Sequence, residues 1–435
     1  MPDTGVLHQG ARAPGRSVIE DVLAQHMEGA SAVWIAREAL ARGPHARLVD
    51  LSRMDDRIDA YMDGIAVAGS AGLALVLQTL GQEADACFVA CLAAVRMGDR
   101  AGLHQVLRHL LEADPTGGDA WRGLVAALAW VDRAKAEAVI RPLMTAATPR
   151  LRWLAFAASG ARRSWYGADW DGPLADPAPA ARARATRAAG ELGGIALIPR
   201  LVAGLSDPDQ DCRFRSAWAA ARMGSAASLD TLADIAWHRL PHADQALDLL
   251  MRRLDVAGAN AWLREFARLP NRRHDLIRAI GAVGDPLFVP WLIERMADPA
   301  LARCAGEAFS TITGAALAAG GLDRPGPADF QAGPTDDPAD ETVALDEDEH
   351  LPWPDAARVG QWWMAHGSQF APGIAYFLGV PKAAADWLAV LSRGFQRQRR
   401  AAALEMAIRQ PDRAMFATKA HGRLQRRLLA QATAG

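Results

Sequence analysis

The chain has 435 residues, of which 51% are hydrophobic and only 6% aromatic, and its formal net charge is −2. This balance does not favour a general nucleic-acid-binding surface, and no run approaches the ~20 apolar residues that a membrane span needs. The many alanines and few tyrosines favour helices over strands. We therefore expect an all-α protein whose partner is neither nucleic acid nor a membrane.

The first part of the chain is predicted to hold a loose end and a helical cap. Residues 1–16 are rich in Gly and Pro and are predicted to be flexible. They lack the basic and apolar stretches of a signal peptide, so we expect a cytoplasmic protein. Residues 17–81 carry apolar side chains at helical spacing, such as Val18, Val22 and Ile58, and are predicted to form a helical N-terminal cap.

Residues 82–322 contain a repeat of about thirty residues. Three pairs of residues stand 31 apart: Asp176 and Asp207, Arg182 and Arg213, and Gly193 and Gly224. Such a period predicts stacked helical hairpins, that is, an α-solenoid. In these two units Asp-Pro offers a helix start and Gly a left-handed helix end. The predicted terminal positions are Gly98, Asp132, about Arg162, Gly193, Gly224, Asp255, Gly284 and Gly314.

The repeat ends after Gly314, and two segments of opposite charge follow. Residues 323–357 are acidic and rich in Pro, which predicts a linker or lid. Residues 358–435 are basic and predicted to be a separate small helical C-terminal segment. We expect the two to attract each other within the chain, over distances limited by a Debye length of ~8 Å.

No sequence motif of a common enzyme class is present. The chain lacks GxGxxG, a Walker loop, HExxH and GxSxG. His238 and His242 have a metal-like spacing, but Pro241 disturbs a shared helical face. The four cysteines form no Cys-x-x-Cys and are predicted to be reduced packing residues. We therefore predict no catalytic, cofactor-binding or metal-binding residue and a protein that is not an enzyme.

The repeat register predicts a binding surface on the concave side of the solenoid. Side chains that lie between the packed alanines of each Arg-containing helix should point to that side. They are Arg187, Phe214, Trp218, Arg222, Arg253, His274 and Arg278. Because Trp and Arg are enriched at binding hot spots, we predict that these residues bind a protein partner. The alternative is that Phe214 and Trp218 fill gaps between repeats while the arginines are solvated.

The repeating unit of Asp-Pro, Arg, small residues and Leu-Gly resembles a short HEAT repeat of the kind also seen in phycobilin-lyase-type proteins. The resemblance implies a ladder of Asp and Arg side chains between repeats, which includes Asp176, Arg182, Asp207 and Arg213. Asp244 takes the arginine position in the following unit, so we expect the ladder to be interrupted there.

Three further stretches, residues 18–26, 54–64 and 396–405, resemble a bacterial HEAT-repeat family associated with type VI secretion gene clusters. This resemblance implies an adaptor or chaperone-like accessory factor whose partner is a secretion spike or effector component. It identifies no catalytic residue. Two alternatives stay open: a solenoid that binds a small molecule or cofactor, as a lyase does, and a HEAT protein that binds nucleic acid. The oligomeric state is not predicted.

Overall fold

A computed structural model of the chain describes residues 18–113, 118–333 and 346–434. The predicted flexible residues 1–16 and the middle of the acidic insertion lie outside the described part. The chain divides into two compact units, the first with residues up to 35 and 56–135, the second with residues 36–55 and those from 136 onward. This division differs from the predicted boundary near residue 81.

Seven helices cover the described residues up to 143. They are α1 (Glu20–Leu40), α2 (Leu48–Val67), α3 (Gly69–Gln78), α4 (Ala84–Met97), α5 (Arg100–Ala113), α6 (Ala120–Trp130) and α7 (Arg133–Leu143). Helix α4 is the centre of the first unit, since every residue from Cys87 to Val95 is buried. It packs against α3, α5 and α6, and the Phe88 ring stacks on that of Trp34 with 5.1 Å between centroids.

The second unit contains the helical repeats. Their helices are α8 (Pro149–Arg162), α9 (Asp171–Leu174), α10 (Pro179–Leu192), α11 (Ile198–Ala203), α12 (Gln210–Arg222), α13 (Leu229–Trp237), α14 (Ala243–Arg253), α15 (Val256–Phe266), α16 (Arg273–Val283), α17 (Val289–Arg295) and α18 (Pro299–Thr313). The even-numbered helices from α8 to α18, here called the long helices, pack side by side in chain order. One odd-numbered helix joins each long helix to the next. The predicted α-solenoid is thereby confirmed.

The predicted helix ends are confirmed wherever the terminal residue is glycine. Five glycines have φ values between 70° and 108° at or just past a helix end: Gly98, Gly193, Gly224, Gly284 and Gly314. In the remaining repeat of this kind the left-handed residue is Arg163, with φ 54°, and not Arg162. The two aspartates of the series act differently, because they begin the next helix. Asp132 accepts a hydrogen bond from the Lys135 N–H (2.9 Å), and Asp255 accepts one from the Gly258 N–H (2.7 Å).

The C-terminal part is not a separate body but belongs to the second unit. Its elements are β1 (Asp323–Arg324), β2 (Trp353–Pro354), α19 (Ala356–His366), β3 (Tyr376–Phe377), β4 (Val380–Pro381), α20 (Trp387–Arg393), α21 (Gln396–Arg409) and α22 (Gly422–Ala434). The antiparallel pairs are β1 with β2 and β3 with β4. Helix α21 packs against α12 and α14, while β2 and β3 pack against α18.

A search of the described helices for bilayer-spanning length and apolarity finds no single helix that meets both criteria. Helices α2 and α3 meet them only when taken together, and the pair is bent by 111°. The four cysteines, Cys87, Cys91, Cys212 and Cys304, are buried and free, as predicted.

Candidate protein-binding surface

A ladder of ion pairs fixes neighbouring repeats to each other. Arg152 forms two hydrogen bonds to the Asp176 carboxylate, at 2.6 and 2.8 Å, and Arg182 forms two to Asp207, at 2.8 and 2.9 Å. This fork geometry is the strongest form of an arginine–carboxylate contact. Arg213 donates instead to the carbonyls of Asp207 and Pro208. The ladder implied by the HEAT resemblance is therefore present as far as the Arg182–Asp207 pair, whereas Arg213, which was expected to belong to it, pairs with backbone carbonyls and not with a carboxylate.

Two of the predicted surface residues, Phe214 and Arg222, are fully buried. The Phe214 ring stacks on His242 with 4.5 Å between centroids, so it fills the space between α12 and α14. The Arg222 guanidinium donates to the carbonyls of Pro411 and Arg413, at 2.8 Å each. The prediction that these two side chains lie on an open surface is wrong, because the C-terminal part covers Arg222 and the next repeat covers Phe214.

His274 and Arg278 are also engaged within the chain. They contact Asp346–Glu349, here called the acidic segment. One histidine and three arginines hold this segment: His274 on Asp348 (2.9 Å), Arg278 on Glu347, Arg303 on Asp346 (2.6 Å) and Arg397 on Asp348 (3.1 Å). Because Arg397 comes from α21, the predicted attraction between the acidic insertion and the basic C-terminal part is confirmed at this point. The acidic segment thus lies across α16 and α18 and forms ion pairs with arginines of α16, α18 and α21.

Asp348 is the best-buried carboxylate of the acidic segment, with 6% of the residue exposed. Burial alone would raise its pKa, but the hydrogen bond from His274 and the charges of Arg397 and Arg278 outweigh burial and hold the pKa at about 2. One carboxylate oxygen of Asp348, one ring nitrogen of His274 and the Cys304 sulfur lie within 4.8 Å of one another, a grouping that could hold a metal ion. Burial raises the pKa of the Cys304 thiol, so that it stays protonated. Protonated sulfur and flanking arginines favour the salt bridges over a metal ion.

The lowered pKa of Asp348 predicts an acid-sensitive contact. A carboxyl group whose folded pKa is below its usual 3.8 contributes stability that is complete above pH 3.8 and is lost as the pH falls toward 2. We expect this contribution to be about 2 kcal/mol. Unfolding free energies measured between pH 2 and 5 should therefore depend less on pH in Asp348→Asn than in the wild type. Replacement of the exposed Asp244 by asparagine is the control, and the same reduction in that variant would contradict the assignment.

The C-terminal part is held at the helix ends of three repeats. Gly193, Gly284 and Gly314 each end a long helix, and backbone atoms of residues 376–413 lie directly on them. A Cβ atom at Gly193 would lie 2.6 Å from the Arg413 carbonyl oxygen, and one at Gly314 would lie 2.6 Å from that of Leu378. The Tyr376 N–H also donates to the Gly284 carbonyl at 2.8 Å. These glycines therefore end their helices and also make room for the C-terminal chain.

The three remaining predicted residues lie on α10, α12 and α14. Arg187 pairs with Glu191 at 2.9 Å, and 39% of its side chain is exposed. Trp218 is half-buried and packs against two groups of buried apolar side chains, a large one that begins at Phe214 and a small one that contains Leu201 and Met223. Arg253 is half-buried and donates to the Gly224 carbonyl at 3.2 Å. Arg187 and Trp218, which occupy the same register position on neighbouring long helices, thus keep part of their side chains at the surface, as do His274 and Arg278 beside the acidic segment.

The repeat geometry has a counterpart among known families. The family model for HEAT repeats matches residues 173–243. These residues form HEAT repeats. The match covers α10 to α13, and the left-handed ends at Arg163, Gly284 and Gly314 extend the same HEAT-like arrangement to α8, α16 and α18. Comparisons with curated proteins and with solved structures find no significant match.

Proposed function

We propose that this protein is a non-enzymatic HEAT-repeat scaffold that binds another protein through the surface of α10 and α12. The observation that supports this proposal most directly is that the acidic segment and the C-terminal part occupy some of the predicted residues of the long helices and leave others open. The acidic segment and the C-terminal part pair with Arg222, His274 and Arg278, whereas Arg187, with 39% of its side chain exposed, pairs among the described residues only with Glu191 of its own helix. A partly exposed Trp next to a partly exposed Arg is the combination that is enriched at binding hot spots.

The resemblance to a family from type VI secretion gene clusters supports a more specific proposal. The partner would be a secretion spike or effector component, and the protein would act in the cytoplasm as its adaptor or chaperone-like accessory factor. Capture of proteins from cells with intact secretion genes, followed by mass spectrometry, tests this proposal. Recovery of a small chromophore or nucleotide in place of a spike or effector protein would contradict it.

A cavity of about 180 Å³ among the described residues could serve the alternative of a small-molecule binder. It is lined by charged and apolar residues that include Arg252, Lys382, Glu405 and Arg409. Ligand pockets usually measure about 300–1,000 Å³ and are mostly apolar. Lys382 and Arg252 are moreover already paired with Glu405. The size and the internal pairing of this cavity favour a protein-binding scaffold over a small-molecule site.

Trp218 provides a direct test of the proposed surface. We expect Trp218→Ala to weaken binding of the captured partner by about 2 kcal/mol, because a hot-spot side chain loses its contacts with the partner. Its melting temperature should change little, since the ring is only half-buried. The control is Trp121→Ala on α6, where the tryptophan is fully buried. This control should lower stability and leave binding intact, and the reverse pattern would place Trp218 in the core.

A further inference from the structure

Positive charge is concentrated where α10 meets α12. Glu191 is buried and pairs with Arg163 at 3.0 Å and with Arg187 at 2.9 Å. Arg184 lies close enough to both arginines for like charges to repel, and it donates only to the Ala157 carbonyl, at 3.0 Å, among the described residues. Its buried Nε atom has no hydrogen-bond partner within the described chain. One carboxylate thus serves three neighbouring guanidinium groups, and positive charge is left over.

Arg215 brings a further guanidinium group to this region from the next repeat. It stands 31 residues after Arg184 and therefore occupies the same register position on α12. Its guanidinium pairs with Asp211 at 3.0 Å, and Asp211 is shared with His242 at 2.8 Å. Arg187 lies near enough to lower the pKa of Arg215, together with the larger effect of burial. The arginines of α10 therefore have a neighbouring arginine on α12 in the next repeat.

The chain segment after α21 brings a lysine to the same place. The Met415 N–H donates to the Glu191 carbonyl at 2.9 Å, and Arg163 donates to the Met415 carbonyl at 2.7 Å. Lys419 follows four residues later. Although Lys419 is an exposed residue, local burial of its ammonium group lowers its pKa to about 8, and Arg187 is among the nearby cations that contribute. Burial and then Arg187 likewise lower the pKa of Arg184 to about 9. Glu38 is the acidic neighbour of Lys419 and Glu191 is that of Arg184, and each of these carboxylates is also paired with another arginine.

The residue of α16 that corresponds to Arg187 shows what an arginine at this register position binds. In the repeat register, Arg278 on α16 corresponds to Arg187 on α10. Arg278 is paired with Glu347 of the acidic segment, and His274 on the preceding turn is paired with Asp348. A short peptide of consecutive Asp and Glu residues therefore already lies on this side of the long helices within the chain.

We propose that Arg184, Arg187, Arg215 and Lys419, here called the cationic cluster, bind an acidic segment of the partner protein. The inference rests on the proposed scaffold function and names the chemistry of its ligand. Guanidinium groups match carboxylates in a two-bond fork geometry. The partly exposed carboxylate of Asp211 interrupts the positive surface, which suits discrete carboxylate side chains better than a continuous phosphate backbone.

The test uses the full chain and a fluorescein-labelled peptide of four Asp-Glu units, with fluorescence anisotropy as the readout. A peptide of four Asn-Gln units is the uncharged control. We expect the wild type to bind the acidic peptide and the triple variant Arg187→Gln, Arg215→Gln and Lys419→Gln to bind it at least ~10-fold more weakly, because each lost charge-assisted contact weakens binding. The matched control is Arg264→Gln, Arg268→Gln and Arg273→Gln, which removes three exposed arginines from other positions. It should bind like the wild type.

Thermal unfolding separates a binding role from a structural one. Arg187 pairs with the buried Glu191 and Arg215 pairs with Asp211, so the triple variant is expected to melt below the wild type, and peptide binding is compared at a temperature at which both proteins are folded. If the triple variant unfolds, the single variant Arg187→Gln, at the most exposed guanidinium of the α10 group, should still show weaker peptide binding. Equal peptide affinity in the wild type and in either variant would overturn the proposal. So would tighter wild-type binding of a single-stranded oligonucleotide of equal charge. Capture of a protein partner by a wild type that does not bind the acidic peptide would overturn this inference and leave the scaffold function standing.

Discussion

Replacing Glu405 with glutamine is expected to lower the free energy of unfolding by about 3–5 kcal/mol. Glu405 is 4% exposed and lies on α21. It accepts a hydrogen bond from Lys382 at 2.7 Å and one from Arg252 on α14 at 2.9 Å. Burial opposes its charge, but Lys382 and Arg252 outweigh burial and lower its pKa. Glutamine fills the same volume without the charge, so Lys382 would be left buried without its counter-ion. Denaturant unfolding of both proteins at pH 7 measures the effect.

An exposed ion pair is the matched control for Glu405. Glu294 pairs with Arg295 at 3.1 Å, and 65% of its side chain is exposed. Because solvent screens such a pair, Glu294→Gln should change the free energy of unfolding by no more than about 0.5 kcal/mol. Similar midpoints for the two variants would show that Glu405 does not anchor α21 on the repeats. The expected large difference would instead identify this ion cluster as a main attachment of the C-terminal part.

The repeats were predictable from sequence because their signals are local. The Asp-Pro start, the Arg six residues later and the Gly at the helix end recur at a fixed spacing, and each acts within its own hairpin or on the next one. The Arg182–Asp207 pair follows directly from that spacing. The register also contains a signal for the cationic cluster. Arg184 and Arg215 stand in the same register position, and the pair could have indicated the cationic cluster.

Which distant segments of the chain pack over the long helices was not predictable in this way. Helical periodicity identifies which side chains share a face, but it does not tell which distant segment covers that face. Arg222 reaches the Pro411 carbonyl across 189 positions of the chain, and no local pattern links the two. The net attraction between acidic and basic segments was predictable from charge, whereas the burial of Arg222 and Phe214 depends on packing between repeats and the C-terminal part.

Replacing Gly193 with alanine is expected to have the second large effect on the free energy of unfolding, and the same replacement at Gly224 is its control. We expect Gly224→Ala to lower the free energy of unfolding by about 1–2 kcal/mol, because an alanine at positive φ is strained. Gly193→Ala should lose a further ~1–3 kcal/mol, since its new methyl group would overlap backbone atoms of Arg413. At Gly224 no atom lies within 4 Å of the added Cβ, and its φ of 108° is no easier for alanine than the 81° of Gly193.

The strain at positive φ therefore cannot account for a larger loss at Gly193, and the excess measures the contact between α10 and the C-terminal part. Trypsin cleavage after Arg413 gives an independent readout, because this segment must leave the helix end before a protease can bind it. Cleavage under native conditions should be faster in Gly193→Ala than in Gly224→Ala. Equal stability losses and equal cleavage rates would mean that Gly193 only ends its helix, and that Arg222 and Glu405 hold the C-terminal part in place without it.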